Sequence, residues 1–230
     1  MSDAAAGAPR EHHIAVRRTA RYYTLGAESP RELWIVVHGY SQLAGRFISR
    51  FQPLADATRL VVAPEALNRY YFESAPGRHG PDAGVGATWM TREDRVAEID
   101  DYVAYLDTLA DTLAASLPVP PERIIVLGFS QGVATAARWI ARGRTRVDHL
   151  VLWGGYLPPE LVPGPGLFHG AALTWMLGSE DGYTPDARIS ALSADLQRAG
   201  LAHRVRWYRG GHRIEPDGLR ELARDLAVPA

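Results

Sequence analysis

The sequence predicts an α/β fold with a mainly parallel central sheet, an antiparallel N-terminal edge and helices on both faces. Three observations carry this. Short continuous apolar runs recur along the chain: Leu33–Val37, Leu60–Ala63, Ile124–Leu127, His149–Trp153, Ala172–Leu177 and Val205–Tyr208. Runs without polar alternation are those of strands buried on both faces, the situation of a parallel sheet covered by helices. Between them lie stretches of helical periodicity, and strands that alternate with helices of ten or more residues specify βαβ units. Finally, Gly128-Phe129-Ser130-Gln131-Gly132 joins an apolar run to an Ala- and Val-rich helical stretch, a strand–turn–helix with two glycines and a serine at its apex.

The 230 residues are enough for one substantial core. Residues 1–11 are small and polar and are expected to form a disordered tail, leaving 12–230 as a single domain. His12-His13 reads as the solvated start of a strand rather than a metal site. Ile14–Arg18 and Arg21–Leu25 are expected to pair as two antiparallel edge strands. After the run ending at Val37, the sequence turns at His38-Gly39-Tyr40-Ser41. Phe47, Phe51, Leu54 and Ala55 then follow at helical spacing. Residues 65–92 form a long connection rich in Gly, Pro and aromatics, too long for a tight joint and therefore a candidate lid. Thr91 with Asp94 resembles a helix start. From Val96 to Leu117 apolar residues step by three or four, and Pro118, Pro120 and Pro121 close that helix. Val133, Ala134, Ala136, Ala137 and Ile140 are expected to pack against the sheet. Residues 156–170 are a second Pro/Gly-rich excursion and a second candidate lid. Ile189, Leu192 and Leu196 mark one later helix, and Leu219, Leu222 and Leu226 mark the last.

Composition narrows the partners. The net charge is −1, so no large field of one sign is expected, which argues against a nucleic-acid or anionic-membrane partner. With no cysteine there is no disulfide, no thiolate nucleophile and no thiolate metal site. No secretory h-region opens the sequence and no apolar run approaches the length of a membrane span, so a cytoplasmic protein is expected, as monomer or homodimer.

A serine on a sharp strand-to-helix turn is the nucleophile elbow of a serine hydrolase, where strand and helix pass so close that the flanking residues must be small. Serine is a weak nucleophile and needs a base, which in turn needs an orienting acid. In a parallel sheet both must come from carboxyl ends of strands. Gly178-Ser179-Glu180-Asp181-Gly182-Tyr183-Thr184-Pro185 follows one strand and Gly210-Gly211-His212 follows the last. The order Ser130, Asp181, His212 separates this arrangement from the other two serine-hydrolase folds. Glu180 competes with Asp181 for the role of acid. Two backbone amides are expected to hold the oxyanion, those of Gln131 and of Tyr40, with Ser41 in competition. His38 reads as a histidine bonding loop backbone. Tyr40, Tyr70, Tyr71, Phe72, Trp89, Trp153, Tyr156 and Tyr183 crowd the expected site edges, and Tyr71, Trp89, Trp153 and Tyr183 are taken as substrate-binding residues. Gly84-Val85-Gly86 lacks the lysine and strand–helix frame of a phosphate loop.

From Leu33 onward these motifs resemble the phospholipase/carboxylesterase family of α/β-hydrolases, which includes acyl-protein thioesterases. The resemblance rests on Val37-His38-Gly39-Tyr40, on the elbow, on Gly178–Pro185 (similar to Gly-Asp-x-Asp-x-x-Val-Pro) and on Gly211-His212. It implies the α/β-hydrolase fold, Asp181 rather than Glu180 as the acid, and a serine carboxylesterase acting on small acyl esters, thioesters or lysophospholipids without metal or cofactor. Where acyl-protein thioesterases carry Trp-Phe-Asp, this chain reads Tyr70-Tyr71-Phe72-Glu73 before a longer Gly-rich loop. Two other readings use the same residues: a catalytically silent ligand receptor, and a peptidase or C–C hydrolase.

Overall fold

A computed structural model describes residues 9–71, 83–184 and 186–228. Seven strands form the main sheet: β1 (Tyr22–Gly26), β2 (Glu32–Val37), β3 (Arg59–Pro64), β6 (Arg123–Phe129), β7 (His149–Trp153), β8 (Ala172–Gly178) and β9 (His203–Tyr208). Their order is β1-β3-β2-β6-β7-β8-β9, and a separate two-stranded sheet pairs β4 (Asn68–Tyr71) with β5 (Val85–Thr88). All main-sheet neighbours are parallel except β1 on β3. The architecture is a mainly parallel sheet with one antiparallel edge strand and helices on both faces.

Strand alternation sorts the buried side chains into two layers. Ile35, Val37, Val62, Val126, Leu150, Leu152, Trp175 and Leu177 face α2 (Arg95–Ser116), α3 (Gln131–Arg142) and α4 (Asp186–Arg198). Trp34, Val36, Val61, Leu127, Phe129, Val151 and Trp153 face α5 (Pro216–Leu226), α1 (Ala44–Phe47) and the 3₁₀ helix Ile48–Leu54. Both faces of β2, β6 and β7 are therefore covered, which is why their sequences are apolar without alternation.

The chain leaves β2 for β3 on one side and later resumes at β6 on the other. That reversal makes the gap between β2 and β6 the switch point of the sheet, where ligands bind beyond the carboxyl ends of the strands. Val37 is in register with Gly128, so the turn after β2 and the elbow after β6 emerge side by side.

Three elements differ from the sequence expectations. Ile14–Arg18 is not a strand; Ile14 and Val16 are exposed. This segment is held by side chains instead: Arg18 binds the carbonyl of Leu67 and Asn68 Oδ1, and His13 Nε2 lies 3.0 Å from Asp94 Oδ2. Only β1 pairs at the antiparallel edge. The stretch around Phe51 is a short α-helix passing into a 3₁₀ turn, because Pro53 sits inside it. Asp94 does not cap α2 with its side chain; it adopts φ 47°, and Glu98 reaches back to accept the Thr91 amide instead. The connection 65–92 contains the β4–β5 hairpin, and its residues 72–82, including Phe72, lie outside the described residues. No helix of the described residues is long and apolar enough to cross a membrane.

Two buried histidines make the fold acid-sensitive. His38 Nδ1–H donates to the Gly39 carbonyl while Nε2 accepts the Ala66 amide at 3.0 Å, so only the neutral ring satisfies both bonds. Burial pulls its pKa down to about 4. His149, bonded through Nε2 to Thr174 Oγ1 at 2.8 Å, is likewise pulled down to about 4 by burial and by Arg204 and Arg123. An unfolded histidine protonates near 6.5. Between pH 6.5 and 4 the unfolded chain therefore binds protons that the folded chain refuses. The stability from each neutral ring is complete above 6.5 and is lost as pH falls, by about 3 kcal/mol per histidine at pH 4. Denaturant unfolding followed across this window is expected to show that decline, and His149→Gln to flatten it; an unchanged slope in the variant would refute the assignment.

Candidate active site

The elbow is a matter of clearance. A Cβ on Gly128 would stand 2.3 Å from the Gly132 carbonyl oxygen, and one on Gly132 would stand 2.2 Å from that of Val37. Both contacts are with backbone, so no side chain fits and the strand passes directly into α3. Ser130 at the apex has φ 54° and ψ −117°, a conformation an L-residue adopts only under constraint. Its amide donates to the Trp153 carbonyl at 3.0 Å, tying the turn to β7.

Three strand ends meet over this serine. His212 Nε2 lies 2.9 Å from Ser130 Oγ, and His212 Nδ1 lies 2.8 Å from Asp181 Oδ2. A carboxylate only accepts, so Nδ1 carries the proton and Nε2 is left to accept from the serine hydroxyl. Asp181 is buried, whereas Ser179 and Glu180 are exposed. The second Asp181 oxygen accepts the Tyr183 amide at 2.9 Å, which fixes the carboxylate plane. The imidazole is packed between the rings of Tyr183 and Phe129, at centroid distances of 4.8 and 5.0 Å. Gly154, at φ 61°, leaves room for the pair: a Cβ there would meet His212 at 3.2 Å and Asp181 Oδ2 at 3.3 Å.

Among the described residues, no hydrogen bond occupies the backbone N–H of Tyr40 or of Gln131. The Gln131 amide opens α3, where helix amides have no partner of their own and the dipole is positive. The Ser41 amide is taken by the Ala87 carbonyl at 3.0 Å. The turn carrying Tyr40 is braced by Gln42, whose Oε1 accepts the Gly39 amide at 2.8 Å, and by Glu65, which accepts the first amide of α1.

The Gln131 side chain has a part that the motif gave no reason to expect. Its Nε2 donates to Thr88 Oγ1 at 2.9 Å and to the Met90 carbonyl at 3.0 Å, while its Oε1 accepts the Trp89 amide at 3.2 Å. It fastens the exit of β5 to the elbow. Gln131→Ala is expected to cost about 1–3 kcal/mol of stability, since those partners are partly buried, and to lower kcat less than a hundredfold. Denaturation and steady-state kinetics check this; a loss as deep as that of Ser130→Ala would show that the side chain itself takes part in the reaction.

The cleft above Ser130 has a volume of about 610 Å³ and is bordered by Tyr40, Tyr156–Pro159, Tyr183 and, on α3, Ala134 and Arg138. Of the four residues expected to bind substrate, Tyr183 lines it. Tyr71 lies on the hairpin, away from this wall. Trp89 and Trp153 are core: both are buried, and their indole N–H groups donate to the carbonyls of His38 and Arg213. Neither presents a surface to the cleft. The sequence marks strand-end aromatics but not which face they turn to, and these two point into the packing layers. The excursion 156–170 supplies a wall of the cleft, joined to the acid loop where Tyr156 Oη donates to the Tyr183 carbonyl at 3.2 Å. The sequence does not mark Arg138, because a charged residue in a helix ordinarily reads as solvated surface.

The chain matches the Phospholipase/Carboxylesterase family over residues 26–228. No curated protein matches it. Among solved structures, esterase PE8 is similar at 21% identity with a TM-score of 0.65, covering 91% of this chain and 98% of its own. A phospholipase/carboxylesterase from Dyadobacter fermentans is 16% identical with a TM-score of 0.60, covering 92% and 98%. The Bacillus cereus carboxylesterase is 14% identical with a TM-score of 0.62, covering 89% and 92%. The elbow at the switch point, the strand order and the match over nearly the whole chain place this protein in the phospholipase/carboxylesterase family of α/β-hydrolases.

Proposed function

We propose that the protein is a serine carboxylesterase that cleaves small acyl esters through an acyl-enzyme on Ser130. The observation that carries this reading is the continuous path from Asp181 through His212 to Ser130, at 2.8 and 2.9 Å. His212 Nε2 takes the hydroxyl proton as Ser130 Oγ attacks the acyl carbonyl. Asp181 stabilises the imidazolium through Nδ1–H and itself stays ionised. The amides of Tyr40 and Gln131 receive the oxyanion, helped by the N-terminus of α3. His212 then gives its proton to the leaving oxygen, which departs as the alcohol. Water enters, loses a proton to His212 and attacks the acyl-enzyme; collapse returns the acid and free Ser130. A thioester is attacked in the same way, with a thiol leaving. The chemistry requires neither metal nor organic cofactor.

The cleft wall fits an ester of modest size, with Tyr156, Leu157, Pro158 and Pro159 giving apolar contact. Turnover of p-nitrophenyl butyrate that disappears in Ser130→Ala tests the reading, and a folded wild-type protein inert towards such esters would overturn it.

A further inference from the structure

Arg138 stands on α3 eight positions beyond Ser130 and borders the same cleft. It is an unusual residue to find there, because its side chain is only 6% exposed. Its Nε donates to Glu160 Oε1 at 2.6 Å, and Nη1 faces Met90 Sδ at 3.3 Å and Tyr102 Oη at 3.4 Å. Nη2 has no hydrogen-bond partner among the described residues. The cavity that Arg138 borders is the cleft over Ser130.

Glu160 does not neutralise the surroundings. The same Oε1 is shared with Arg95 at 2.9 Å and with Arg142 at 3.9 Å. Among the described residues it is the one carboxylate within ion-pair distance of any of the three guanidiniums. Three cations to one anion leave the cluster around Arg138 positive, in a chain whose overall charge is close to zero.

We infer that Arg138 Nη2 forms an anion subsite, and that the favoured substrates are esters with a carboxylate at the far end of the group seated in the cleft. This deepens the esterase reading and rests on Ser130 being the nucleophile. Eight helical residues rise about 12 Å, and helix side chains lean back toward the N-terminus, which sets the guanidinium on the order of 8 Å from the hydroxyl. A spacer of roughly four to six methylenes spans that distance. The apolar wall Leu157–Pro159 would hold the spacer and the guanidinium its charged end.

The test compares p-nitrophenyl hydrogen adipate with p-nitrophenyl hexanoate, which presents a methyl where the first has a carboxylate. The wild type is expected to favour the adipate in kcat/KM by about 10- to 100-fold, the range of a charge-assisted hydrogen bond. Arg138→Met should bring the ratio to about one, and Arg138→Lys should restore part of it. Arg95→Gln with Arg142→Gln removes two exposed guanidiniums without touching the buried one. It should lower the ratio severalfold, and serves if Arg138→Met does not fold. A wild-type ratio of one or below overturns the subsite while leaving the esterase intact. If neither ester is turned over, the esterase reading fails, and binding of monomethyl adipate to wild type and Arg138→Met decides the subsite alone: equal affinities overturn it.

Discussion

Ser130→Ala is expected to lower kcat for p-nitrophenyl butyrate by about 10⁴- to 10⁶-fold, the depth at which loss of a nucleophile leaves only binding and the oxyanion donors at work. The substitution removes Oγ and nothing structural. The bond from the Ser130 amide to the Trp153 carbonyl and the bond from the Val133 amide to the Ser130 carbonyl are both backbone. Alanine at φ 54° bears the same strain as serine, so the variant should unfold at nearly the wild-type midpoint. Ser130→Gly sharpens the test. Glycine adopts positive φ freely, and strain of this kind costs about 1–3 kcal/mol, partly offset by glycine's greater unfolded-state entropy of about 0.5–1 kcal/mol. The inactive glycine variant is therefore expected to be slightly more stable than the active enzyme, a direct reading of strain held for function. Turnover within tenfold of wild type in either variant would remove Ser130 from the chemistry.

Much of this site was legible because its requirements are steric and serial. At Gly128 and Gly132 a Cβ would stand within 2.5 Å of backbone, and a constraint of that kind leaves one residue type and a fixed spacing. The chain order of Ser130, Asp181 and His212 survives because each sits at the end of its own strand, and strand ends are visible as the close of apolar runs. The fold was legible for a related reason: β2, β6 and β7 are covered on both faces, which writes continuous apolar runs into the sequence. What escaped depends on direction rather than type. Trp89 and Trp153 lie close to the strand ends in sequence but face the core layers. Ile14 and Val16 have strand-forming side chains but no neighbour to pair with, since Arg18 and His13 hold that segment against the hairpin and α2. The β4–β5 hairpin is short and runs through Gly86, where a Cβ would stand within 3 Å of the Ser41 backbone; a glycine in a strand looks like a loop until its neighbour is known. Gln131 was legible as an amide and not as a side chain, because its partners at residues 88–90 lie across the longest irregular connection.

Asp181→Asn is expected to cost about 10⁴-fold in kcat, and the cause can be derived from the two bonds of its carboxylate. Oδ1 accepts the Tyr183 amide at 2.9 Å and Oδ2 accepts from His212 Nδ1 at 2.8 Å. Asparagine has one oxygen for these two positions. The Tyr183 amide is a donor that cannot change its role, so the asparagine oxygen stays with it and the NH₂ group turns to His212. Facing a donor, Nδ1 must become the acceptor, and the ring proton moves to Nε2. The hydroxyl of Ser130 then meets an N–H instead of a lone pair, and no base stands beside it. The geometry is retained while the tautomer is reversed, so KM should change far less than kcat. Glu180→Gln is the matched control. Its side chain is exposed and its amide bond to the Gly210 carbonyl does not depend on the carboxylate, so activity should stay within about twofold of wild type. If Glu180→Gln were the variant that lost activity and Asp181→Asn kept it, the acid would be the neighbouring carboxylate and the tautomer argument would fall with it.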